Sequence, residues 1–88
     1  MRAHLRWEGG GEAEIVAITE GAIEVVSTVP KPPGSRIDGA LVEAPAATLK
    51  MKVHGSKLRD DGAYALVGRP LNMTRELRER LAALLGPA

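Results

Sequence analysis

The fold is decided by residues 13–28, which read Ala-Glu-Ile-Val-Ala-Ile-Thr-Glu-Gly-Ala-Ile-Glu-Val-Val-Ser-Thr. Two runs rich in β-branched side chains flank a short polar turn that carries Gly21. This pattern is typical of two strands joined tightly. We therefore predict one strand over residues 12–18, a second over residues 22–28, and a hairpin between them.

An earlier strand is indicated upstream of this hairpin. Ala3, Leu5 and Trp7 alternate with polar residues, which predicts a half-buried strand that ends at the glycine turn of residues 9–11.

Downstream, the sequence predicts three more strands. Prolines make residues 29–35 a stiff crossing. A fourth strand follows around Ile37, Leu41 and Val42, with a bulge or bend expected at Gly39 and an end at Pro45.

The fifth strand has the clearest alternation in the chain. Leu49, Met51 and Val53 lie on one face, and Thr48, Lys50, Lys52 and His54 lie on the other. A charged turn is expected over residues 55–62, and the sixth strand over residues 63–68. Pro70 then excludes another central strand.

One helix is predicted, from Thr74 to Leu85. Thr74 is a suitable N-cap, and Gly86-Pro87 is a stop signal. The helix has one apolar stripe, formed by Leu77, Leu81, Leu84 and Leu85. Residues 1–88 are therefore expected to form a single domain: a mainly β protein with a small six-stranded antiparallel β-barrel and one C-terminal α-helix.

The composition narrows the classes of function. The 88 residues include no cysteine, which excludes a disulfide framework and a thiolate nucleophile. No apolar run has the length of a signal peptide or a membrane span, so a cytoplasmic protein without a membrane contact is expected. Residues 1–44 carry a net charge of −3 and residues 45–88 carry +4, which predicts a dipolar surface.

Three stretches resemble the PilZ domain family of bacteria. They are the strand-turn-strand at residues 17–22 (Ala-Ile-Thr-Glu-Gly-Ala), the Pro-Gly-Ser-Arg-Ile run at residues 33–37, and the last strand with its helix, residues 64–68 and 74–85. The resemblance implies a six-stranded barrel closed by a C-terminal helix. It also implies a setting in cyclic di-GMP signalling, surface motility or type IV pilus assembly.

PilZ domains that bind cyclic di-GMP use an RxxxR arginine pair and a [D/N]xSxxG turn. Guanidinium groups suit the phosphates because they form forked hydrogen bonds. Here Ala17 stands where the family has Asp or Asn, and Thr19 and Ala22 replace the serine and the last glycine. Arg2 and Arg6 keep the RxxxR spacing, but they belong to the first strand rather than to a segment ahead of it. The resemblance therefore implies a degenerate member with a lost nucleotide site.

Other constellations favour ordinary surface roles. His4 and His54 lie on polar strand faces without the ligands of a metal shell. No serine has an activating partner, and Asp60-Asp61 is typical of a turn. A basic strip of Lys50, Lys52, His54, Lys57 and Arg59 follows the fifth strand, but nucleic-acid-binding barrels usually add stacking aromatics, and the chain has only Trp7 and Tyr64.

We therefore expect a non-catalytic PilZ-like adaptor that needs no cofactor or metal, does not bind cyclic di-GMP and recognises another protein. The predicted partner-binding residues are basic: Lys50, Lys52, Lys57 and Arg59 on the barrel, and Arg75, Arg78 and Arg80 on the helix. One alternative is a cyclic di-GMP receptor that uses Arg2, Arg6, Thr19 and Gly21, with a homodimer partner completing the site. A second alternative is a small nucleic-acid-binding barrel.

Overall fold

The structure is a computed structural model that describes residues 3–19, 21–44 and 47–85. Its elements are β1 (Ala3–Trp7), β2 (Glu12–Thr19), β3 (Ala22–Ser27), β4 (Arg36–Leu41), β5 (Thr48–Leu58), β6 (Tyr64–Pro70) and α1 (Arg75–Leu85). Every strand pair is antiparallel, and the strands close into a barrel in the order β1-β2-β3-β6-β5-β4, with β4 returning to β1. The predicted fold class is confirmed.

The largest departure from the predicted elements is the length of β5. Residues 55–58 were expected in a turn, but β5 continues to Leu58 and the turn begins only at Arg59. A register shift between Val53 and Gly55 makes His54 a bulge residue, and Gly55 then pairs with Val67. Glycine in a strand often marks such a bulge, so Gly55 continues this strand instead of ending it.

Two smaller corrections concern the ends of β4 and β6. Val42 was expected in the fourth strand, but the strand ends at Leu41 and Val42 is exposed. The sixth strand extends to Pro70, which pairs with Met51 as the last strand residue. Pro45, Glu20 and Gly86-Pro87, which were expected to end or join elements, lie outside the described residues.

The bulge expected at Gly39 is wrong, because Gly39 pairs regularly with Trp7 on one side and Leu49 on the other. The absence of a side chain at Gly39 instead leaves room for the Trp7 ring. A Cβ at this position would lie 2.9 Å from the Trp7 ring, closer than real contacts allow. The second register shift of the barrel falls in β2, between Ile15 and Ala17.

The barrel interior is an aliphatic core capped by one aromatic ring. Strand residues on the inward faces form a single cluster that includes Leu5, Ile23, Leu49 and Leu66. The buried Trp7 lies at the end of β1, where its Nε1–H donates to Ser27 Oγ at 2.9 Å. Ser27 Oγ in turn donates to the carbonyl of Val29 at 2.7 Å, so this buried polar pair is satisfied.

The helix packs on the barrel core and contacts β1. Its N-terminus is capped as predicted, since Thr74 Oγ1 accepts a hydrogen bond from the Leu77 amide at 3.1 Å. Leu77 and Leu81 are buried in the barrel cluster, while Leu84 and Leu85 pack against it from the side. The predicted apolar stripe therefore joins helix and barrel in one core.

Candidate docking surface

The outward face of β5 carries three of the predicted basic residues. Lys50, Lys52 and Lys57 alternate with the buried residues of the strand or follow its bulge, so all three face solvent. Arg59 lies just beyond the strand and pairs with Asp61, with 3.4 Å between Nη2 and Oδ2. The lysines therefore form a connected strip, whereas Arg59 is partly neutralised.

Strand register adds two arginines to this strip. Lys52 pairs with Arg36 on β4 and with Arg69 on β6, so three cations lie side by side across three strands. Side chains at such opposed positions are neighbours, with Cβ atoms about 4.5 to 5.5 Å apart. We call Arg36, Lys52 and Arg69 the basic row.

The positive charges of the basic row are not neutralised by ion pairs within the described part of the chain. Across residues 3–19, 21–44 and 47–85, none of its three members makes a salt bridge or a side-chain hydrogen bond. The nearest carboxylate in register is Asp38, which lies opposite Lys50, two residues further along the strands. Like charges directly opposite one another destabilise a sheet. The row is therefore an unfavourable arrangement for the isolated domain and a favourable one for binding an anion.

Arg36 and Arg69 were absent from the residues predicted to bind a partner. Their positions in the sequence, 16 residues before and 17 after Lys52, carry no sign that they meet it. Only the barrel order, which places β5 between β4 and β6, brings them together. They could have been found by identifying the outward-facing residues of each strand from the alternation and then predicting which strands pair.

The opposite side of the barrel is acidic. Glu12 and Glu14 on β2 and Glu24 on β3 alternate with inward-facing core residues, so they lie on the outer surface. Most of the charge difference between the two halves of the sequence thus becomes a difference between the β2-β3 side and the β5-β6 side of the barrel, and Arg36 on β4 adds a cation from the acidic half to the basic side. Such a field orients an approaching acidic partner toward the basic row.

One acidic residue on this side has a structural role. Glu43 accepts the His4 backbone N–H at 2.8 Å, and His4 Nδ1 lies 2.6 Å from its other carboxylate oxygen. Burial raises the pKa of the Glu43 carboxyl, but the hydrogen bonds from His4 outweigh it and hold this pKa below its ordinary value. The pair ties the segment after β4 to β1. The described part of the chain contains no group of three or more residues suited to hold a metal ion.

The arginines of the helix are separated from the basic row and largely paired. Arg75 Nε lies 3.3 Å from Glu79 Oε1, and Arg80 Nη2 lies 3.7 Å from Glu76 Oε1. Both are exposed i, i+4 pairs, which contribute only a few tenths of a kcal/mol, about 0.3 to 0.5. Arg78 is exposed and makes no salt bridge within the described ranges. The helix therefore offers less unbalanced positive charge than the strands do.

The residues of the nucleotide-site alternative do not converge in one chain. Arg6 pairs with Glu12 at the start of β2, whereas Thr19 ends that strand seven residues later, about 23 Å away at about 3.3 Å per residue. Gly21 belongs to the turn beyond Thr19 and has a φ of +85°, which explains a glycine there. Arg2 lies outside the described residues.

The surroundings of Arg6 also suit an anion poorly. Arg6 lines a shallow cavity of about 270 Å³ together with His4, Glu12 and Glu14. Two carboxylates in this cavity oppose a ligand with two phosphates.

Neither aromatic side chain of the protein is placed for stacking on the basic face. Trp7 is 2% exposed and hydrogen-bonded inside the barrel. Tyr64 is partly buried against the core. Stacking on aromatic rings is what usually holds single-stranded bases on small barrels. The basic row thus provides charge without a stacking platform.

Comparisons with known proteins give no relative. No family model, no curated protein and no solved structure matches the chain. The resemblance to PilZ domains stays a prediction from the sequence. Within the described residues, no helix has the length and apolar character needed to cross a membrane.

Proposed function

We propose that this protein is a non-catalytic adaptor domain that docks an acidic protein surface on its β4-β5-β6 face. The basic row of Arg36, Lys52 and Arg69 carries this proposal, because it concentrates three cations that lack an intramolecular partner in the described residues. Lys50 and Lys57 extend the same face along β5. The resemblance to PilZ domains supports a degenerate member of that family that acts in the bacterial cytoplasm, in a motility or type IV pilus setting.

Two observations support a protein partner over the alternatives. Arg6 and the turn of Thr19 and Gly21 lie at opposite ends of β2, which disfavours the alternative in which they bind cyclic di-GMP together within one chain. The basic face has no exposed aromatic ring, which favours an acidic polypeptide over single-stranded nucleic acid.

We expect isothermal calorimetry with cyclic di-GMP to give a flat thermogram at near-physiological salt. The physical reason is that Ala17 offers a methyl group where a hydrogen-bond acceptor would read guanine. Binding at micromolar affinity or tighter would contradict the adaptor proposal. In that case Arg6→Ala becomes the next variant, and a change of oligomeric state on binding would identify a site shared between copies.

We expect the double variant Lys52→Glu/Arg69→Glu to bind a decaglutamate peptide about tenfold more weakly than the wild type, a difference of about 1.4 kcal/mol. Fluorescence anisotropy of the labelled peptide at low salt measures this. Added salt should weaken binding of the wild type, because the contacts are exposed charges. Arg78→Glu, which reverses one charge on the helix, is the matched control for the single variant Lys52→Glu.

The single variant Lys52→Glu adds a second readout. It replaces repulsion by attraction toward Arg36 and Arg69, so it should stabilise the domain by about 1 kcal/mol and raise Tm by about 4 to 8 °C. If the Lys52→Glu protein is more stable than the wild type but binds decaglutamate more weakly, the basic row serves binding at a cost in stability. Equal loss of binding in Arg78→Glu would show that net charge, not the β4-β5-β6 face, determines affinity. A gel shift of a single-stranded oligonucleotide without decaglutamate binding would favour the nucleic-acid alternative.

A further inference from the structure

Strand β5 has an open edge near its end. Its pairing with β4 stops at Lys52, which lies opposite Arg36. Val53 still bonds with the segment before β4, since its N–H donates to the Ser35 carbonyl and its carbonyl accepts the Gly34 N–H. Beyond the bulge, Ser56–Leu58 pairs only with β6 in the described structure. An unpaired strand edge is a template for another extended chain.

Within residues 3–19, 21–44 and 47–85, no other segment of the chain pairs with this edge. The segment that would continue β4 backward contains Pro30, Pro32 and Pro33. A proline lacks the N–H that a ladder needs, so this segment pairs poorly with β5. The open edge thus follows from the sequence.

Alternation along β5 shows which backbone groups the edge presents. The Arg59 N–H donates to the Ala63 carbonyl at 2.8 Å, on the side of β6. Alternate residues of an antiparallel strand direct their backbone groups to opposite neighbours, so Lys57 also bonds toward β6. The N–H and carbonyl groups of Ser56 and Leu58 therefore point to the open side.

The side chains beside the edge define what fits there. Lys57 lies on the outward face, continuous with the strip that contains Lys52. Leu58 alternates with it and is 62% exposed, the highest value among the exposed large apolar side chains of the described residues. A strand added here would place one face against a cation and the other face against an apolar side chain.

We propose that residues 56–58 capture an extended segment of the partner by β-strand addition, and that this segment alternates acidic and apolar residues. The inference rests on the proposed function, because it describes how the same acidic partner is held. Backbone hydrogen bonds supply affinity in this mode, and the alternating side chains supply specificity.

A second copy of this chain is a poorer occupant of the edge. Antiparallel pairing of two such edges would bring the Lys57 side chains of both copies onto one face. Like charges at these positions repel, which is how natural edges avoid self-association.

The test uses the acetylated and amidated peptide Glu-Val-Glu-Val-Glu-Val-Glu and amide hydrogen exchange of the full protein measured by NMR. At saturation, exchange at the Ser56 and Leu58 amides should slow about tenfold, and exchange at Lys57 should stay unchanged. The matched peptide control has the same composition in blocks, four Glu followed by three Val, and should leave all three amides unchanged.

The variant Ser56→Pro removes an edge donor without removing a bond to β6. Proline is tolerated where the strand N–H faces away from the sheet, and peptide binding should weaken at least about tenfold. If this variant fails to fold, Leu58→Ala is used instead and should weaken binding about threefold.

Three results would overturn the edge proposal: no binding at millimolar peptide, binding that leaves the Ser56 and Leu58 amides unchanged, or the same protection without peptide accompanied by dimers in sedimentation. Decaglutamate binding that depends on Lys52 and Arg69, together with unchanged edge amides, would leave the adaptor proposal standing and remove this inference alone. If the protein does not bind decaglutamate, but the alternating peptide still protects the Ser56 and Leu58 amides, the proposed role of the basic row is wrong and the edge proposal stands.

Discussion

Replacement of Gly68 by alanine is expected to destabilise the domain by about 3 kcal/mol, which lowers Tm by about 12 to 24 °C. Gly68 is a buried residue of β6 that pairs with Val53 on one side and Ile23 on the other. A Cβ at this position would lie 2.3 Å from the Lys52 carbonyl oxygen and 2.6 Å from Met51 Cε. The methionine end can move, but the carbonyl belongs to the β5 backbone. Relief therefore requires β5 to shift next to its bulge.

The matched control is Gly55→Ala, which adds the same methyl group to the neighbouring strand. A Cβ at Gly55 meets nothing within 4 Å, and its φ is not in the positive range. The control should be neutral or stabilising by up to about 1 kcal/mol, because alanine restricts the unfolded chain. Thermal unfolding followed by circular dichroism measures both variants. A Gly68→Ala protein as stable as the control would show that β5 and β6 are not packed as closely as described.

The clash at Gly68 also matters for the docking surface. The carbonyl that it meets belongs to Lys52, the middle member of the basic row. Displacement of this backbone would change the spacing of Lys52 from Arg36 and Arg69. A folded Gly68→Ala protein should therefore also bind decaglutamate more weakly than Gly55→Ala.

The architecture could be predicted from the sequence because strong local patterns agree with one another. Alternation in β1 and β5 identifies their buried faces, and Thr74 marks the start of the helix. The glycines were harder to interpret. Gly39 suggested a bulge and Gly55 a turn, yet the first makes room for the Trp7 ring and the second continues a strand. A glycine shows that a side chain is absent, and only the neighbouring elements show why.

The candidate site could be predicted only in part. The lysines of β5 lie in one alternating run, so their common face was visible in the sequence. Arg36 and Arg69 join them through pairing between distant segments, which local patterns do not encode. The buried hydrogen bond between Trp7 and Ser27 was missed for the same reason, since 20 residues separate the two. The open edge of β5 required the true length of this strand.

Replacement of Leu81 by alanine is expected to cost about 3 kcal/mol. Leu81 is fully buried, lies in the same cluster as the barrel core, and belongs to a helix that contacts β1. Truncation leaves a cavity that the rigid barrel wall cannot fill, and a helix of 11 residues is too short to persist without packing. Amide exchange should therefore show the helix opening before the barrel does.

The control for Leu81 is Leu58→Ala, the same truncation at a side chain that is 62% exposed. This change should alter stability by less than about 0.5 kcal/mol, because little apolar surface returns to water. Equal stability of the two variants would mean that the helix does not anchor the core through Leu81.

The loss of helix packing in Leu81→Ala also tests whether the helix takes part in binding. Leu81→Ala frees the helix while β4, β5 and β6 keep their pairing, so decaglutamate binding at temperatures where the barrel stays folded should match that of the wild type. Loss of binding together with loss of the helix would place part of the docking surface on the helix, as the arginines at positions 75, 78 and 80 first suggested.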